Sequence, residues 1–187
     1  MGVFNFLFGS RHERAGFELY GAAVRAAREP AWFAELGVPD TLDGRFDLVG
    51  LFAALLIHRL RAEPAPGPAL AQAVFDAMFA DMDINLRELG VGDMSIGKRV
   101  RAMWEGFHGR ALAYAAPIAS GDAAALADAL ARNVWRGAAP AGAAARLAAA
   151  SLAQARHLDA VPLERFVAGQ AAFLPADQVL PALAVQP

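Results

Sequence analysis

The chain contains no cysteine, which excludes disulfide bonds and thiolate chemistry. Charge is also sparse: Lys and Arg number 17 and Asp and Glu number 19, so the net charge is -2. No global field favours nucleic acid or an anionic membrane, and we expect no recognition of a nucleic acid sequence. The longest strongly apolar run, residues 48–57, is bounded by Asp47 and His58. Because a membrane-spanning helix needs ~20 apolar residues, we expect no transmembrane segment.

The first residues carry no recognisable targeting signal. The apolar part of MGVFNFLFGSRHER is too short for a secretory signal and has no leading positive charge. The N-myristoylation pattern fails because Phe6 stands where Ser or Thr is required. We therefore expect an intracellular protein that is soluble or peripheral to a membrane. The aromatic start of the chain, with Phe4, Phe6 and Phe8, is too short to be stable alone. We expect it to dock on its own domain, on a membrane or on a partner.

Alanine makes up much of the 57% hydrophobic content, and alanine favours helices. Apolar residues recur with a helical period, and no alternation typical of strands is convincing. We predict an all-α protein with a single compact domain of about seven helices at residues 15–175. An N-terminal aromatic segment, residues 1–14, precedes it, and a C-terminal tail, residues 176–187, follows. The predicted helices span residues 11–29, 45–62, 69–89, 96–115, 122–136, 142–157 and 162–171.

The sequence also predicts which helix is buried and which residues cap two of the helices. Helix 45–62 is apolar nearly all round, as a central buried helix should be. Asp122 and Ser95 precede helical patterns and have the side chains that N-caps prefer.

The helix at residues 69–89 has an unusual polar edge. On a helical wheel, Asp81, Asn85 and Glu88 border the apolar stripe, away from the solvated face. One interpretation is a partly buried hydrogen-bond network with a neighbouring helix, since buried polar groups need partners. Lys98 or Arg101 across the following turn would then supply the partners. The other interpretation is a surface that binds a partner protein, and the two are compatible.

Asp81-x-Asp83-x-Asn85 resembles the start of a calcium-binding loop. The match fails at the sixth position, where Leu86 replaces the required glycine, and at the twelfth, where Gly92 replaces the bidentate glutamate. The helical apolar period also continues through these residues. We therefore predict a helix here and no calcium site.

Other catalytic and metal-binding patterns are incomplete. Glu105-x-x-His108 is half of a di-iron ligand set, but the sequence has no second copy. Gly90-Val91-Gly92 follows a helical pattern and lacks the third glycine of a dinucleotide fingerprint, so we interpret it as a helix end and turn. No Ser/His/Asp arrangement is recognisable. We predict no metal site, no cofactor and no enzymatic activity.

Four small residues form a line along the helix at residues 96–115, which we call the small-residue stripe. Small side chains let the backbone of another helix approach closely. That second helix usually belongs to the same fold, and the alternative is a helix of a partner. The stripe consists of Ala102, Gly106, Gly109 and Ala113.

Three blocks of the chain resemble the ubiquinol–cytochrome c chaperone family, the assembly factors for cytochrome b in the respiratory reductase. The first is the apolar helix FDLVGLFAALLIHRLR at residues 46–61, which ends in basic residues. The second and most distinctive is LAQAVFDAMFADMDINLRELGVGDMSIGKRV at residues 70–100. The third is ALARNVWRG at residues 129–137. Fainter similarity extends over most of the chain.

The resemblance implies an all-helical, non-enzymatic assembly chaperone. Such a protein binds newly made cytochrome b, helps it reach a haem-loaded form and promotes biogenesis of the ubiquinol–cytochrome c reductase complex. Mitochondrial relatives act with a small helper protein and near the ribosome. The composition rich in alanine, arginine and glycine, with no transit peptide, suggests a bacterial member that is cytoplasmic and peripheral to the inner membrane. The charged positions of the family's signature block, with one asparagine and one glycine, form a predicted partner-binding surface, here called the signature surface: Asp81, Asp83, Asn85, Arg87, Glu88, Gly92, Asp93, Lys98 and Arg101.

Two other functions are compatible with the residues. A carrier of an apolar small ligand (lipid, quinone or haem) would need a pocket of several hundred Å3 among the helices. An enzyme of unknown type would need a cleft in which titratable groups converge. The side chains that would line the carrier's pocket are Phe75, Phe79, Met82 and Phe107.

Overall fold

The computed structural model describes residues 3–88, 90 and 92–180, and describes their side chains except at residues 3–11, 93 and 94. Every regular element in this part of the chain is an α-helix, which confirms the predicted fold class. The helices are α1 (Val3–Ala27), α2 (Pro30–Ala34), α3 (Leu42–Arg61), α4 (Gly67–Glu88), α5 (Asp93–Ser120), α6 (Ala123–Val134), α7 (Ala143–Asp159), α8 (Leu163–Val167) and α9 (Ala176–Val179).

Helix α3 is the centre of the molecule. Thr41 caps its start, because the hydroxyl oxygen accepts a hydrogen bond from the backbone N–H of Gly44 at 3.1 Å. Apolar side chains cover nearly the whole circumference of α3, and it packs against α1, α4, α5, α6 and α7. The prediction of a central buried helix is therefore confirmed.

Helices α1 and α4 share the most extensive contact between two helices in the described part of the chain. A Cβ atom at Gly16 would lie only 2.6 Å from the carbonyl carbon of Ala73, so the two backbones meet where only glycine fits. Leu19 and Ala23, on the same side of α1, are fully buried. Helix α1 begins at Val3, earlier than the predicted start at residue 11.

The second half of the chain packs onto the other side of α3. Asp122 caps α6, as predicted, by accepting a hydrogen bond from the N–H of Ala125 at 2.9 Å. After α6, the indole N–H of Trp135 donates to the carbonyl of Gly37 at 3.0 Å. The side-chain amide of Gln154, on α7, donates a hydrogen bond to the backbone carbonyl of Leu174 and accepts one from the backbone N–H of Leu174. A single hydrophobic core connects these elements to α1 and α4.

Some elements differ from the prediction. The short helices α2 and α9 were not predicted, because four or five residues carry too little periodicity. Helix α9 lies in the range predicted as a tail, and residues 181–187 lie outside the described residues. Helix α5 continues through Pro117 to Ser120, past the predicted end at residue 115. Pro117 has no backbone N–H to donate to the carbonyl of Ala113. Because Ala113 is exposed, a water molecule can donate to that carbonyl instead.

Within the described residues, no helix combines the length and the apolar character that crossing a bilayer requires.

Candidate functional site

The predicted pair of amphipathic helices joined by a short turn is present as α4 and α5. Gly90 has a φ of 77°, the left-handed conformation that favours glycine and ends a helix. Its N–H donates to the carbonyl of Arg87 at 3.0 Å. Gly92 occupies the N-cap position of α5, three residues earlier than the predicted cap, and the Ser95 hydroxyl donates back to its carbonyl at 2.9 Å.

The polar edge of α4 is bonded to α1. The hydroxyl of Tyr20 donates to Asp81 Oδ2 at 2.7 Å, and burial is the main reason why the pKa of Tyr20 is raised. Asn85, predicted at the border of the apolar stripe, is exposed and donates to the backbone carbonyl of Asp81 at 2.7 Å within the same helix. The prediction that Lys98 or Arg101 supplies the partners was wrong, because the Arg101 guanidinium bonds Glu105 on its own helix at 3.2 Å. The donor that completes the network comes from α1, which adjoins α4 in space but not in sequence.

The other members of the signature surface point outward. Arg87 and Asp83, four residues apart, form an ion pair at 2.7 Å along α4. Glu88 and Lys98 are exposed on either side of the turn. The side chain of Asp93 lies outside the described residues. The signature surface therefore has a half-buried anchor, Asp81, and an exposed charged region around the turn.

The small-residue stripe of α5 faces away from the rest of the domain. Ala102, Gly109 and Ala113 are exposed, and Gly106 is half-buried. A Cβ atom at Gly109 would meet no other atom within 4 Å, and one at Gly106 would meet only the Arg110 guanidinium at 3.6 Å. No second helix in the described part of the chain packs on this stripe.

Large apolar side chains are exposed on the same helix. Trp104 is 42% exposed and Leu112 is 62% exposed. The Trp104 ring stacks on His108 with 5.2 Å between ring centroids and an interplanar angle of 2°. His108 and Glu105 thus lie on the outer face of α5. Among the described residues, no group of three or more His, Asp or Glu side chains is arranged to hold a metal ion.

The side chains proposed to line an apolar pocket pack on one another. Phe75 lies 4.7 Å from Phe79 and 5.9 Å from Phe107, measured between ring centroids. Met82 is buried in the same core. Two open clefts of about 670 and 630 Å3 lie elsewhere, between α1 and α8 and beside α2, and none of these four side chains lines them.

Asp47 is a buried acidic residue that the sequence did not reveal as part of a cluster. Its carboxylate lies 3.0 Å from an Arg110 nitrogen and 2.7 Å from an Arg136 nitrogen, and we call these three residues the buried ion cluster. Burial raises the pKa of Asp47, and the two guanidinium groups offset only part of this shift. Burial likewise raises the pKa of the neighbouring Tyr114 to about 12. In the sequence, the only indication of this cluster was an acidic residue, Asp47, directly before the apolar run of α3.

The chain is similar to known proteins in both sequence and fold. The family described as "Ubiquinol-cytochrome C chaperone" matches residues 34–173, which contain the signature surface and the small-residue stripe. The crystal structure of the Cbp3 homolog from Brucella abortus is similar, with a TM-score of 0.82 and 36% sequence identity over 96% of this chain and 99% of that chain. A curated relative, ubiquinol-cytochrome-c reductase complex assembly factor 1 of Xenopus laevis, is 25% identical over 120 residues. That alignment covers 64% of this chain and 60% of the relative's length.

Proposed function

The chain belongs to the ubiquinol–cytochrome c chaperone family, and we propose from this membership that it is an assembly chaperone. Its client is newly made cytochrome b, and its role is to promote biogenesis of the ubiquinol–cytochrome c reductase complex. The family is one of chaperones and not of enzymes. Support comes from the Brucella abortus Cbp3 homolog, which shares the fold over nearly the full length of both chains.

The exposed small-residue stripe is the observation that carries this proposal. It lies inside the segment that matches the family, on a helix whose opposite face is held in the core by Phe107, Tyr114 and Ile118. A partner helix can approach such a stripe closely, because Gly109 presents open space where other residues have a side chain. A membrane helix of the client, before it is packed in the complex, has the shape that fits this stripe.

The charged region beside the stripe suits the polar loops of the same client. Glu88 is exposed at the end of α4, and Lys98 and Arg99 are exposed four and three residues before Ala102, the first residue of the stripe. Exposed charges of this kind contribute mainly to the association rate and to specificity, and salt screens them. The client therefore binds with modest, salt-sensitive affinity, which suits a chaperone that must release it.

The remaining expectations concern the location of the protein. We place it in the cytoplasm at the inner membrane, where the client is inserted. The membrane contact predicted for Phe4, Phe6 and Phe8 involves side chains outside those described, and it remains a proposal.

Site-specific photocrosslinking in native cells tests the function and the surface together. A benzophenone amino acid is introduced at Ala102, Gly109 or Ala113, the protein is purified after irradiation and gentle solubilisation, and its adducts are identified by mass spectrometry. We expect adducts with cytochrome b from all three positions. The matched control is Ala124, an exposed alanine on α6. Adducts of equal yield from Ala124, or an absence of cytochrome b from every preparation, would contradict the proposal.

A further inference from the structure

We propose that a second face of α5 binds the surface of an anionic lipid bilayer. This face, called the basic–aromatic face, consists of Lys98, Arg101, Trp104, His108 and Leu112. All five are exposed: the Arg101 side chain is 81% exposed, Trp104 42% and Leu112 62%. The inference goes beyond the proposed function, because it assigns a lipid surface as a second partner to Lys98 and Arg101 and adds Trp104, His108 and Leu112, which the proposed client surface does not contain.

Helical geometry places these side chains on one line. Arg101, Trp104, His108 and Leu112 are spaced by three, four and four residues, so they recur on the same side of the helix. At 100° per residue, the centre of this line is about 125° from the centre of the small-residue stripe, and Lys98 lies between the two. The two faces can therefore be occupied at the same time, one by a helix and one by a flat surface.

The charge of this region selects an anionic partner. Lys98, Arg99 and Arg101 lie within four consecutive residues of a chain whose net charge is -2. Neither Lys98 nor Arg99 forms an ion pair with any residue that the structure describes. Glu105 is the acidic side chain on the same side of α5, and its charge is balanced by Arg101 at 3.2 Å. The local excess is positive, as attraction to anionic headgroups requires.

The apolar members have the chemistry of the membrane interface. Tryptophan prefers the headgroup level, because its ring is apolar and its N–H is polar. Trp104 is held flat against His108, and Leu112 projects one turn beyond His108. A helix with cations, a tryptophan and a leucine on its exposed side binds in the plane of the interface. A bilayer surface therefore fits this face better than a protein loop does.

Intrinsic fluorescence tests the proposal without any client protein. Trp32 and Trp135 are buried, at 1% and 5% exposure, so a change caused by an external surface reports mainly on Trp104. The purified full chain is mixed with vesicles of phosphatidylcholine alone or of phosphatidylcholine with phosphatidylglycerol. We expect a blue shift and reduced acrylamide quenching with the anionic vesicles only, reversal by high salt, and no shift in Trp104→Phe.

Charge variants locate the surface. Lys98→Gln/Arg101→Gln should lower the partition coefficient on anionic vesicles about thirtyfold, which corresponds to about 1 kcal/mol for each cation. The matched control is Arg132→Gln/Arg165→Gln, which removes the same charge from exposed positions on α6 and α8. Circular dichroism establishes that both double variants are folded.

Four outcomes would overturn the inference. Equal losses in the two double variants would mean that only the total charge matters. Equal binding to neutral vesicles would mean that the cations do not select the surface. Binding without a change at Trp104 would assign the contact to another segment, such as the aromatic start of the chain. Protection of Trp104 by cytochrome b but not by vesicles would assign this face to the client. A negative vesicle result leaves the photocrosslinking test of the proposed function unaffected.

Discussion

The carboxylate of Asp47 has no exposed surface, and two guanidinium groups reach it from distant parts of the sequence. Arg110 comes from α5, and Arg136 from the turn after α6. Arg110 also lies over the Phe46 ring, with 5.9 Å from the guanidinium carbon to the ring centroid. The buried ion cluster therefore ties α3, α5 and the end of α6 together beneath the exposed face of α5.

Loss of the Asp47 carboxylate should destabilise the fold. We expect Asp47→Ala to lower the free energy of unfolding by about 3 kcal/mol, because breaking a buried ion pair leaves an unpaired charge behind. Arg110 is only 23% exposed and cannot be fully solvated without rearrangement. Urea denaturation measures the change. The control is Asp40→Ala, which removes one member of the exposed Asp40–Arg45 pair and should leave the stability unchanged. Equal effects of the two substitutions would contradict the structural role of the cluster.

The raised pKa of Asp47 predicts a pH dependence of stability. The folded protein holds the proton of Asp47 more tightly than the unfolded chain does, because burial raises the folded-state pKa above 3.8. The stability contributed by this group is present below pH 3.8 and is lost as the pH rises through the folded pKa. As the pH rises, the wild type should therefore lose stability relative to Asp47→Asn, measured as the free energy of unfolding. A series of denaturation curves measures it, and a shift in the opposite direction would mean that the two guanidinium groups outweigh burial.

Asp81 and Glu88 should respond differently to substitution, although both belong to the signature surface. Asp81→Ala removes the acceptor of the Tyr20 hydroxyl and should lower the free energy of unfolding by about 1–3 kcal/mol. Glu88→Ala changes an exposed position, so it should leave stability unchanged and weaken client capture. Thermal melts and capture of cytochrome b separate the two effects. Unchanged capture by a folded Glu88→Ala would remove Glu88 from the proposed client surface.

At the scale of elements, α5 has fewer buried residues for its length than the other long helices. Ile96, Phe107, Tyr114 and Ile118 are its buried apolar residues among those described. Its three interior glycines, Gly97, Gly106 and Gly109, have no backbone atom within 4 Å of the position of a Cβ. Glycine costs stability in a helix, so Gly106 and Gly109 keep the outer face of α5 flat at the expense of helix stability.

Gly109 should therefore accept a side chain without harm to the fold. We expect Gly109→Ala to raise the free energy of unfolding by about 0.5–1 kcal/mol, because alanine is the better helix former and the site has room. Gly109→Leu should be similarly stable but should lose capture of cytochrome b, since its side chain would fill the stripe. The control Gly16→Ala should destabilise the protein, because the new Cβ would clash with the backbone of Ala73. Full client capture by a folded Gly109→Leu would contradict the role of the stripe.

At the scale of the whole molecule, local signals were predictable and long-range contacts were not. The capping residue Asp122 and the turn at Gly90 act within a few residues, so the sequence revealed both. The pair of Tyr20 and Asp81 joins positions 61 residues apart, and that of Arg136 and Asp47 joins positions 89 apart. One sequence without its fold does not identify such partners. For the same reason, the small-residue stripe was recognisable, but its exposure became known only from the position of α5.

Helix α1 is part of this fold although the matched family segment, residues 34–173, leaves it out. Helix α1 packs on α4 with Leu19 and Ala23 fully buried, and the contact of Gly16 with Ala73 leaves no room for a Cβ atom. A chain that begins at residue 34 would expose this side of α4 to water. We expect it to lose cooperative thermal unfolding and to bind a hydrophobic dye such as ANS.

The shortened chain could unfold because it lacks the contact with α1 or because truncation damages it generally. Adding a peptide of residues 12–33 in trans distinguishes these two causes. It supplies Leu19, Ala23 and the Tyr20 hydroxyl that bonds Asp81, so it should restore cooperative unfolding and suppress dye binding. The same peptide with Gly16→Leu should not, because the added side chain would keep the helices apart. A shortened chain that unfolds cooperatively without the peptide, at the temperature of the full chain, would show that α1 is dispensable. Since α1 and α5 both pack on α4 and α3, loss of α1 should also weaken the support of α5, the proposed client-binding helix.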